Sequence, residues 1–431
     1  MVCETTNKNT LHPSWVGNAR TIPPNWGYLL RIMEDKKVLR RFWAPSVTTQ
    51  FRICPIPFHF DTYRGCHYGC IYCFARDFIE FQRRNKDGAQ KHQAYLEGND
   101  PKGLERWINK VMEMDYDYTK AETVAFKERM PVKIGATADP FPLVELDEHI
   151  TYDCLKIFDK YDYPVQISTK NPEVFLEYAS EFKDSNIALN VSCSFCDDDI
   201  ARKIEVGAIS PTRRFEAIKK LSEMGFKITL RMQPFILPYS EDVAERFVKT
   251  IKESGAWAFQ TEGLKLRVVM PEKERKIYSK IGDVLGFDII SDFKKNGCIE
   301  GGDREYSEQE KRRILELFTN LANKYDIKFF NADNLVDNKY GCGDECCGTE
   351  FLRNHKIWGG CFRSRAFERT DEVSSEEFGK CLVNFTRATR QKGVVYKTIK
   401  ETCDEYFEKE TKRLKEEEYK NAHKQLSLFD E

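Results

Sequence analysis

The sequence contains no apolar run long enough to span a membrane, and its first residues, MVCETTNKNT, do not resemble a secretion signal. It also has no excess of positive charge, because 68 Lys and Arg residues face 69 Asp and Glu residues. A formal net charge of −1 gives no overall basic signature of a nucleic-acid binder, so any such surface must be local. These absences exclude a membrane partner and favour a cytoplasmic protein.

The bulk composition is that of a globular protein with unusually many thiols. Hydrophobic residues make up 41% of the 431 residues and charged residues 32%, enough for one large domain or two to three smaller ones. The 15 cysteines form an odd number and follow no secretion signal. We therefore expect metal or redox chemistry in a reducing compartment, not a disulfide framework.

Short apolar runs alternate with helical patterns through the middle of the chain. The strand candidates are Phe51–Phe60, Val132–Thr137, Val165–Thr169, Ile187–Ser192, Phe226–Phe235, Leu264–Met270 and Ile327–Phe330. The helix candidates are Leu104–Met112, Ile150–Tyr161, Val174–Phe182, Pro211–Met224, Asp242–Ser254 and Ser307–Tyr325. This alternation predicts an α/β fold with a parallel sheet covered by helices. Periodicity does not separate a barrel from an open doubly wound sheet.

Three cysteines lie close together in the stretch DTYRGCHYGCIYCFARDF. Cys66, Cys70 and Cys73 follow the spacing C-x3-C-x2-C. Three thiolates on one loop can bind three irons of a cubane cluster and leave the fourth iron open to a small molecule. A zinc knuckle is the alternative, but structural zinc sites usually repeat C-x2-C pairs and need a fourth ligand nearby. The sequence therefore favours an iron–sulfur cluster.

This loop resembles the signature of the radical SAM superfamily. The longer pattern YRGC-x3-C-x-YC-x-AR resembles the branch of spore photoproduct lyase and the DNA repair photolyases, and the resemblance runs from about Phe58 to Ser240. It implies a partial (β/α)6 barrel, a [4Fe-4S] cluster on the three cysteines, S-adenosylmethionine (SAM) on the open iron, and an electron donor such as flavodoxin or ferredoxin. The implied domains are an N-terminal arm (1–50), the partial barrel (51–335), a Cys-rich segment (336–365), a helical extension (366–424) and a tail (425–431).

The resemblance also assigns cofactor contacts at the strand ends. Asp139, in DPFP, matches the region where the superfamily binds the amino group of SAM. Lys170 and Ser192 match a SAM-contacting TK pair and a ribose-contacting serine. Arg214, in the segment E-x2-A-x-SP-x2-R, could bind the SAM carboxylate bidentately. Without the resemblance, a turn, a helix cap or an ordinary salt bridge explains these residues equally well.

One departure from the family concerns the hydrogen-atom donor. Spore photoproduct lyase carries a cysteine where this chain has Ala136, so repair of the spore thymine dimer itself is in doubt. Cys193 and Cys196, just beyond Ser192, could substitute as donors, or they could be inert buried thiols. Tyr72, next to Cys73, is a further catalytic candidate. Ala138 and Phe74 also stand where the family has a serine and a tyrosine.

A second group of cysteines lies in YGCGDECCGTEFLRNHKIWGGC. Its members are Cys342, Cys346, Cys347 and Cys361, with several glycines that would let the backbone fold around a metal. Four thiolates could hold zinc or an auxiliary iron–sulfur cluster. Adjacent Cys346 and Cys347 cannot both ligate easily, so His355 is a reserve ligand. The alternative is a glycine-rich loop with thiols near the mouth of the barrel.

The last residues resemble a bacterial clamp-binding motif, by which repair and replication proteins bind the DNA polymerase sliding clamp. The candidate contact residues are Gln425, Leu426, Leu428 and Phe429. Leu428 and Phe429 can fill a pocket while Gln425 hydrogen-bonds at its rim. The alternative is an apolar plug that packs on its own domain.

Together these patterns predict a radical SAM enzyme that acts on DNA, either in lesion repair or in base modification. A base in duplex DNA would have to be extruded for such chemistry. The alternatives are a radical SAM enzyme that modifies RNA or a peptide, and a clamp-tethered iron–sulfur protein that senses redox state or binds DNA without turnover.

Overall fold

The computed structural model describes residues 38–48, 54–75, 96–115, 121–300, 303–333 and 345–358, together with residue 412. Its strands are β1 (Leu39–Arg40), β2 (Ser46–Val47), β3 (Phe58–His59), β4 (Tyr63–Arg64), β5 (Glu97–Gly98), β6 (Val132–Ile134), β7 (Val165–Thr169), β8 (Ile187–Ser192), β9 (Ile228–Phe235), β10 (Ala258–Gly263), β11 (Leu266–Arg267), β12 (Gly297–Glu300), β13 (Asp303–Tyr306) and β14 (Lys328–Asn331). Its helices are α1 (Pro101–Glu113), α2 (Ala121–Lys127), α3 (Glu145–Glu148), α4 (Ile150–Lys160), α5 (Pro172–Phe182), α6 (Asp198–Ile204), α7 (Pro211–Glu223), α8 (Tyr239–Asp242), α9 (Ala244–Glu253), α10 (Glu272–Leu285), α11 (Ile289–Asn296) and α12 (Glu308–Tyr325). The 425–431 tail and, apart from residue 412, the helical extension lie outside the described residues.

An eight-stranded sheet organises the described chain, in the order β14-β10-β9-β8-β7-β6-β3-β2. All neighbouring pairs from β3 to β14 are parallel, and only β2 pairs antiparallel. The order follows the chain without the reversal that defines a doubly wound sheet. This sequential order confirms the predicted partial TIM-like barrel. The strand at Ser46–Val47 also brings part of the predicted N-terminal arm into the sheet.

The side chains on the two faces of the sheet differ in character. Apolar residues such as Ile167, Leu189 and Leu230 are fully buried and belong to the hydrophobic core. The alternate positions on β7, β8, β9 and β10 are polar, and several of their side chains hydrogen-bond one another. They are Gln166, Ser168, Asn190, Thr229, Arg231, Gln233, Gln260 and Glu262. We call the space lined by these side chains the lumen, and its polar lining contrasts with the apolar filling of closed barrels.

Local sequence explains most of the element boundaries. Helix α7 begins at Pro211 after Ser210, whose side chain accepts a hydrogen bond from Arg213 N. Strand β6 is shorter than predicted and ends at Ile134, before Gly135. Gly135 has φ of 88°, and a Cβ there would lie 2.2 Å from Ser168 O. The predicted strand Leu264–Met270 was largely wrong, because the strand beside β9 is β10 at Ala258–Gly263 and only the two-residue β11 falls within the predicted range.

None of the helices within the described ranges has both the length and the apolar character that crossing a membrane requires.

Candidate active site

The loop that carries Cys66, Cys70 and Cys73 follows β3 and β4 at the carboxyl edge of the eight-stranded sheet. Gly65 and Gly69 have φ of 90° and 57°, which lets the backbone curl tightly at both positions. Cys73 N donates to Cys70 O at 3.1 Å and closes a turn between the last two cysteines. Local glycines therefore shape the loop, as a cluster-binding segment requires.

Two contacts anchor this loop to the end of α6 and to the residues that follow it. Ile71 N donates to Ile204 O at 2.9 Å, and Gly207 N donates to Tyr68 O at 2.7 Å. The approach at Gly207 is close, since an added Cβ would lie 2.8 Å from His67 O and 3.0 Å from Tyr68 Cα. The Tyr68 hydroxyl also donates to Phe141 O at 2.7 Å. The loop is therefore fixed on two sides.

The three thiols fit a cubane cluster by number, chemistry and position. Cys66, Cys70 and Cys73 are each partly exposed and lie within electrostatic range of one another. Burial, followed by the nearby Asp139 carboxylate, raises the pKa of Cys66 to about 11. Among the described residues, no three or more His, Cys, Asp or Glu side chains are arranged so that they could bind one common metal ion. In a cubane, however, each thiolate binds a different iron, so the thiolates need not converge on one point.

A buried ion pair lies behind the loop. Arg214 and Glu205 side chains are both fully buried, with Arg214 Nη2 2.6 Å from Glu205 Oε2. Arg214 Nη1 also donates to Ser192 O at 3.0 Å, and the Tyr72 hydroxyl donates to Glu205. Burial opposes ionisation of Glu205, but Arg214 and then Lys170 lower its pKa overall. This arrangement links Tyr72 to the end of β8 through two charged side chains.

Asp139 ties the ends of two strands together. Its Oδ1 accepts from Thr169 Oγ1 at 2.7 Å and from Phe141 N at 3.0 Å, and its Oδ2 accepts from Lys170 N at 2.6 Å. The Lys170 ammonium lies 5.6 Å from the centre of the Tyr72 ring. Lys170 and Ser192 are both partly exposed at the sheet edge that carries the cysteine loop. The four cofactor contacts suggested by the sequence thus gather around the loop, and their roles stay predictions.

Sequence reasoning missed a polar network on the lumen rim next to these residues. Arg231 donates from Nη1 to Ser168 Oγ at 2.8 Å and from Nε to Gln233 Oε1 at 2.9 Å. Gln233 Nε2 in turn donates to Glu262 Oε2 at 3.0 Å. In the part of the chain that the structure describes, no carboxylate lies within ion-pair distance of Arg231. The alternating pattern T-x-R-x-Q on β9 and Q-x-E on β10 was the available signal.

The two cysteines predicted as hydrogen donors have different environments. Cys193 is fully buried, and its thiol donates to Phe195 O at 3.0 Å. Cys196 is partly exposed, and Arg246 Nη2 on α9 donates to its Sγ at 3.4 Å. Ser194 lies between the two cysteines in the sequence, and its Oγ is 3.3 Å from the Tyr72 hydroxyl. A donor role for any of these three groups stays a prediction.

Two members of the second group of cysteines, Cys346 and Cys347, lie at the opposite end of the strands. Cys346 and Cys347 are buried, and the next residue, Gly348, packs against Thr229 near the start of β9. This location differs from the mouth of the barrel, which was the alternative reading. Cys342 and Cys361 lie outside the described residues, and a second metal here stays a prediction. His355 Nδ1 lies 2.8 Å from Leu352 O.

The chain was also compared with known proteins. Residues 61–251 match the model of a family described as the Radical SAM superfamily. An uncharacterized protein of Methanocaldococcus jannaschii, MJ0683, is 25% identical over 231 residues, which are 54% of this chain and 78% of that protein. A solved structure of spore photoproduct lyase with bound AdoMet and dinucleoside spore photoproduct is 13% identical with a TM-score of 0.44, over 67% of this chain and 81% of that one. SuiB of Streptococcus suis bound to S-adenosylmethionine is 13% identical with a TM-score of 0.40, over 65% of this chain and 52% of SuiB.

Proposed function

We propose that this chain is a radical SAM enzyme whose substrate is a nucleotide of DNA, in lesion repair or base modification. The match of residues 61–251 to the superfamily model covers the cysteine loop and strands β6 to β9. Cys66, Cys70 and Cys73 would hold the [4Fe-4S] cluster, with SAM beside Lys170 and Ser192. When bound, the reduced cluster and SAM supply a 5′-deoxyadenosyl radical that takes a hydrogen atom from the substrate.

From the buried ion pair we infer that Arg214 positions its neighbours and does not itself contact the cofactor. With its side chain fully buried against Glu205, Arg214 cannot reach a ligand without breaking that pair. It instead holds the end of β8 through Ser192 O, while Glu205 holds the Tyr72 hydroxyl. Lys170, which is partly exposed, is the better partner for an anionic group of the cofactor.

The polar rim of the lumen is the observation that supports DNA as the substrate. Arg231 is partly exposed there, and its hydrogen-bond partners among the described residues are the neutral acceptors Ser168 and Gln233. A guanidinium without a carboxylate partner suits a phosphate, which it can bind bidentately. Amide side chains beside it, such as Gln233, can hydrogen-bond a base edge. A polar, anionic substrate therefore fits this rim better than an apolar one.

The first experiment measures 5′-deoxyadenosine formed by anaerobically reconstituted, reduced protein. Three arms receive UV-irradiated DNA, undamaged DNA and RNA. Greater stimulation by DNA than by RNA supports the proposal, and greater stimulation by irradiated DNA favours lesion repair. Stimulation by RNA alone, or SAM cleavage that responds to no nucleic acid, would contradict a DNA substrate. Absence of SAM cleavage in cluster-loaded protein would contradict the proposal that the chain is a radical SAM enzyme.

The Arg231→Met variant tests the role of the rim. Loss of a charge-assisted contact costs about 1.5–3 kcal/mol, so we expect nucleic-acid stimulation to fall by about tenfold or more. Arg202→Met is the matched control, because Arg202 lies on α6 with a 67% exposed side chain that pairs with Asp199. Equal stimulation in both variants would show that Arg231 does not contact the substrate.

A further inference from the structure

A small three-stranded sheet stands beside the cysteine loop. Its order is β1-β5-β4, and β4 runs directly into the loop that begins at Cys66. The register pairs Leu39 with Glu97, and Glu97 with Arg64. Because side chains alternate along a strand, these three side chains lie on one face, and Arg41 follows Leu39 on the same face. We call the face formed by Leu39, Arg41, Arg64 and Glu97 the arginine face.

The opposite face of this small sheet is packed against the barrel. Val38, Tyr63 and Leu96 are buried there in a cluster with Ile150, the first residue of α4. The approach is close at Gly98, where an added Cβ would lie 2.1 Å from Ile150 Cδ1. The sheet is therefore fixed on α4 by one face, and it turns the arginine face to the solvent.

The arginine face carries more positive than negative charge. Arg41 Nη1 and Arg64 Nη1 lie 3.8 Å and 4.0 Å from the two oxygens of the same Glu97 carboxylate, and their side chains are 62% and 41% exposed. Among the described residues, Glu97 is the one carboxylate within ion-pair distance of either guanidinium. The carboxylate of Asp61, which is also near, accepts from backbone N–H groups that follow β6. Two exposed cations thus share one distant carboxylate, which leaves both able to bind a further anion.

A tryptophan orients one of the two arginines. Arg64 Cζ lies 4.2 Å from the centre of the Trp43 ring. The indole Nε1 donates to Asp61 O at 2.7 Å, and Trp43 N donates to Asn99 Oδ1 at 3.4 Å, so the ring is held in place. A guanidinium that is stacked on a fixed ring has less conformational freedom to lose when it binds an anion.

We propose that the arginine face binds backbone phosphates of the DNA strand whose nucleotide enters the lumen. This inference rests on the proposed function, because it takes DNA as the substrate. Guanidiniums bind phosphates bidentately, and such contacts position a strand without reading its sequence. Since Arg64 precedes Cys66 by two residues, a strand that is held on this face passes beside the cysteine loop.

An acidic segment of a partner protein is the other occupant that these charges would attract. The two occupants differ in how binding depends on salt. DNA releases condensed counterions when arginines contact its phosphates, so each contact adds a fixed amount to the salt dependence of DNA binding. A face that binds a protein instead contributes nothing to that dependence.

The experiment measures binding of a short, fluorescein-labelled single-stranded DNA to the full-length, cluster-loaded protein by anisotropy, over a range of salt concentrations and without SAM or reductant. A phosphate contact adds about 0.7 to the slope of log K against log salt concentration for a single strand. We therefore expect Arg41→Gln to lower the slope by about 0.7, and Arg41→Gln with Arg64→Gln to lower it by about 1.4. In 0.1 M salt, affinity should fall about fivefold for each contact that is lost.

Lys249→Gln is the matched control, because it removes the same charge from a comparable environment. Lys249 lies on α9 with a 58% exposed side chain, and its Nζ is 3.8 Å from Glu253 Oε1. This variant should keep the slope of the unsubstituted protein. Equal iron content per chain in all variants shows that the substitutions at Arg41 and Arg64 leave the cysteine loop intact.

The outcomes separate this inference from the proposed function. If Arg41→Gln and the double variant keep the slope of the Lys249→Gln control, the arginine face does not bind DNA, even where DNA stimulates SAM cleavage. If the slope falls as expected but DNA does not stimulate SAM cleavage, the face binds DNA and the proposed reaction is wrong. Absence of any DNA binding by the unsubstituted protein would overturn the inference as well.

Discussion

The ion pair of Arg214 and Glu205 is the most heavily buried charged contact described near the candidate site. Both side chains have an exposed fraction of 0%, so neither charge is solvated by water. Because removing one partner leaves the other charge buried alone, such pairs are costly to break even where they add little net stability. The Arg214–Glu205 pair fixes the positions of Tyr72 and Ser192, which hydrogen-bond to it.

Arg214→Met should therefore destabilise the fold by about 3–5 kcal/mol, since Glu205 is left unpaired. Replacing both residues, as Arg214→Met with Glu205→Leu, should recover part of this loss. Urea unfolding followed by tryptophan fluorescence measures both. Arg202→Met, which breaks an exposed pair, should change the free energy of unfolding by about 0–1 kcal/mol. If the Arg214→Met variant is as stable as the unsubstituted protein, the ion pair is not intact in solution.

Glu145 should make stability depend on pH. Its carboxylate is fully buried, and burial raises its pKa to about 7 although Tyr63, Thr151 and Tyr152 donate to it. The folded state thus binds the proton more tightly than the unfolded state, whose pKa is near 4.5. This contribution is fully present below about pH 4.5 and is lost as pH rises through about 7, by up to about 3 kcal/mol.

The check is the difference in unfolding free energy between the protein and Glu145→Gln, measured from pH 4.5 to 8. The protein should lose stability relative to the variant as pH rises across this window, because glutamine does not titrate. A difference that is independent of pH would contradict the raised pKa of Glu145. The difference isolates this residue from other buried carboxylates such as Asp61, whose pKa is also raised, to about 6.

At the scale of elements, the candidate site depends on the approach between the cysteine loop and the segment after α6. Gly207→Ala would place a methyl group 2.8 Å from His67 O and should push the loop away from Ile204. We expect the variant to hold less iron after reconstitution, with a weaker visible absorption of the cluster. Iron and sulfide analysis per chain measures this directly.

Gly225→Ala is the matched control for that prediction. Gly225 has φ of 97°, and nothing lies within 4 Å of an added Cβ. The substitution strains the backbone by about 1–2 kcal/mol without touching the loop, so it should lower stability and leave the iron content unchanged. Equal iron content in both variants would show that the contact at Gly207 is not needed for cluster binding.

What the sequence could predict follows the range of the interactions involved. Strands β7 and β8 and helix α7 depend on local patterns, and all three were predicted close to their observed bounds. Strand β10 was missed because Gln260 and Glu262 face the lumen, so a strand inside the sheet has a polar sequence. The insertion of α10, α11, β12 and β13 was not predicted, although α10 buries Tyr278 and Ile281 and α11 buries Ile289 and Phe293 at helical spacing.

The same distinction applies to the site. The spacing of Cys66, Cys70 and Cys73 is visible in one short stretch, whereas the contact of Arg231 with Ser168 depends on the register of β9, β8 and β7. The stacking of Arg64 on Trp43 depends on how the chain before the barrel packs beside the cysteine loop, about which a local pattern carries no information.

At the scale of the whole molecule, the chain combines a net charge of −1 with a proposed DNA substrate. A basic surface normally supplies most of the affinity for DNA, so delivery by a partner would remove the need for one. We propose that the QLSLF motif near the end of the sequence binds the DNA polymerase sliding clamp and so brings the enzyme to DNA. Tethering raises the effective concentration of the substrate without any new contact at the active site.

Deleting 425–431 tests this proposal, because an extended peptide of this kind binds through a few anchor side chains. The truncated chain should lose measurable binding to a bacterial sliding clamp in calorimetry, and Leu428→Ala with Phe429→Ala should weaken it by about a hundredfold, since each buried anchor contributes at least about 1–2 kcal/mol. Lys424→Ala, just outside the motif, is the matched control and should bind as the intact chain does. Formation of 5′-deoxyadenosine on short DNA without the clamp should be the same for all four proteins, because the tail acts only on delivery. Clamp binding that survives the deletion would refute the assignment, whereas reduced SAM cleavage after the deletion would indicate that the tail packs on its own domain.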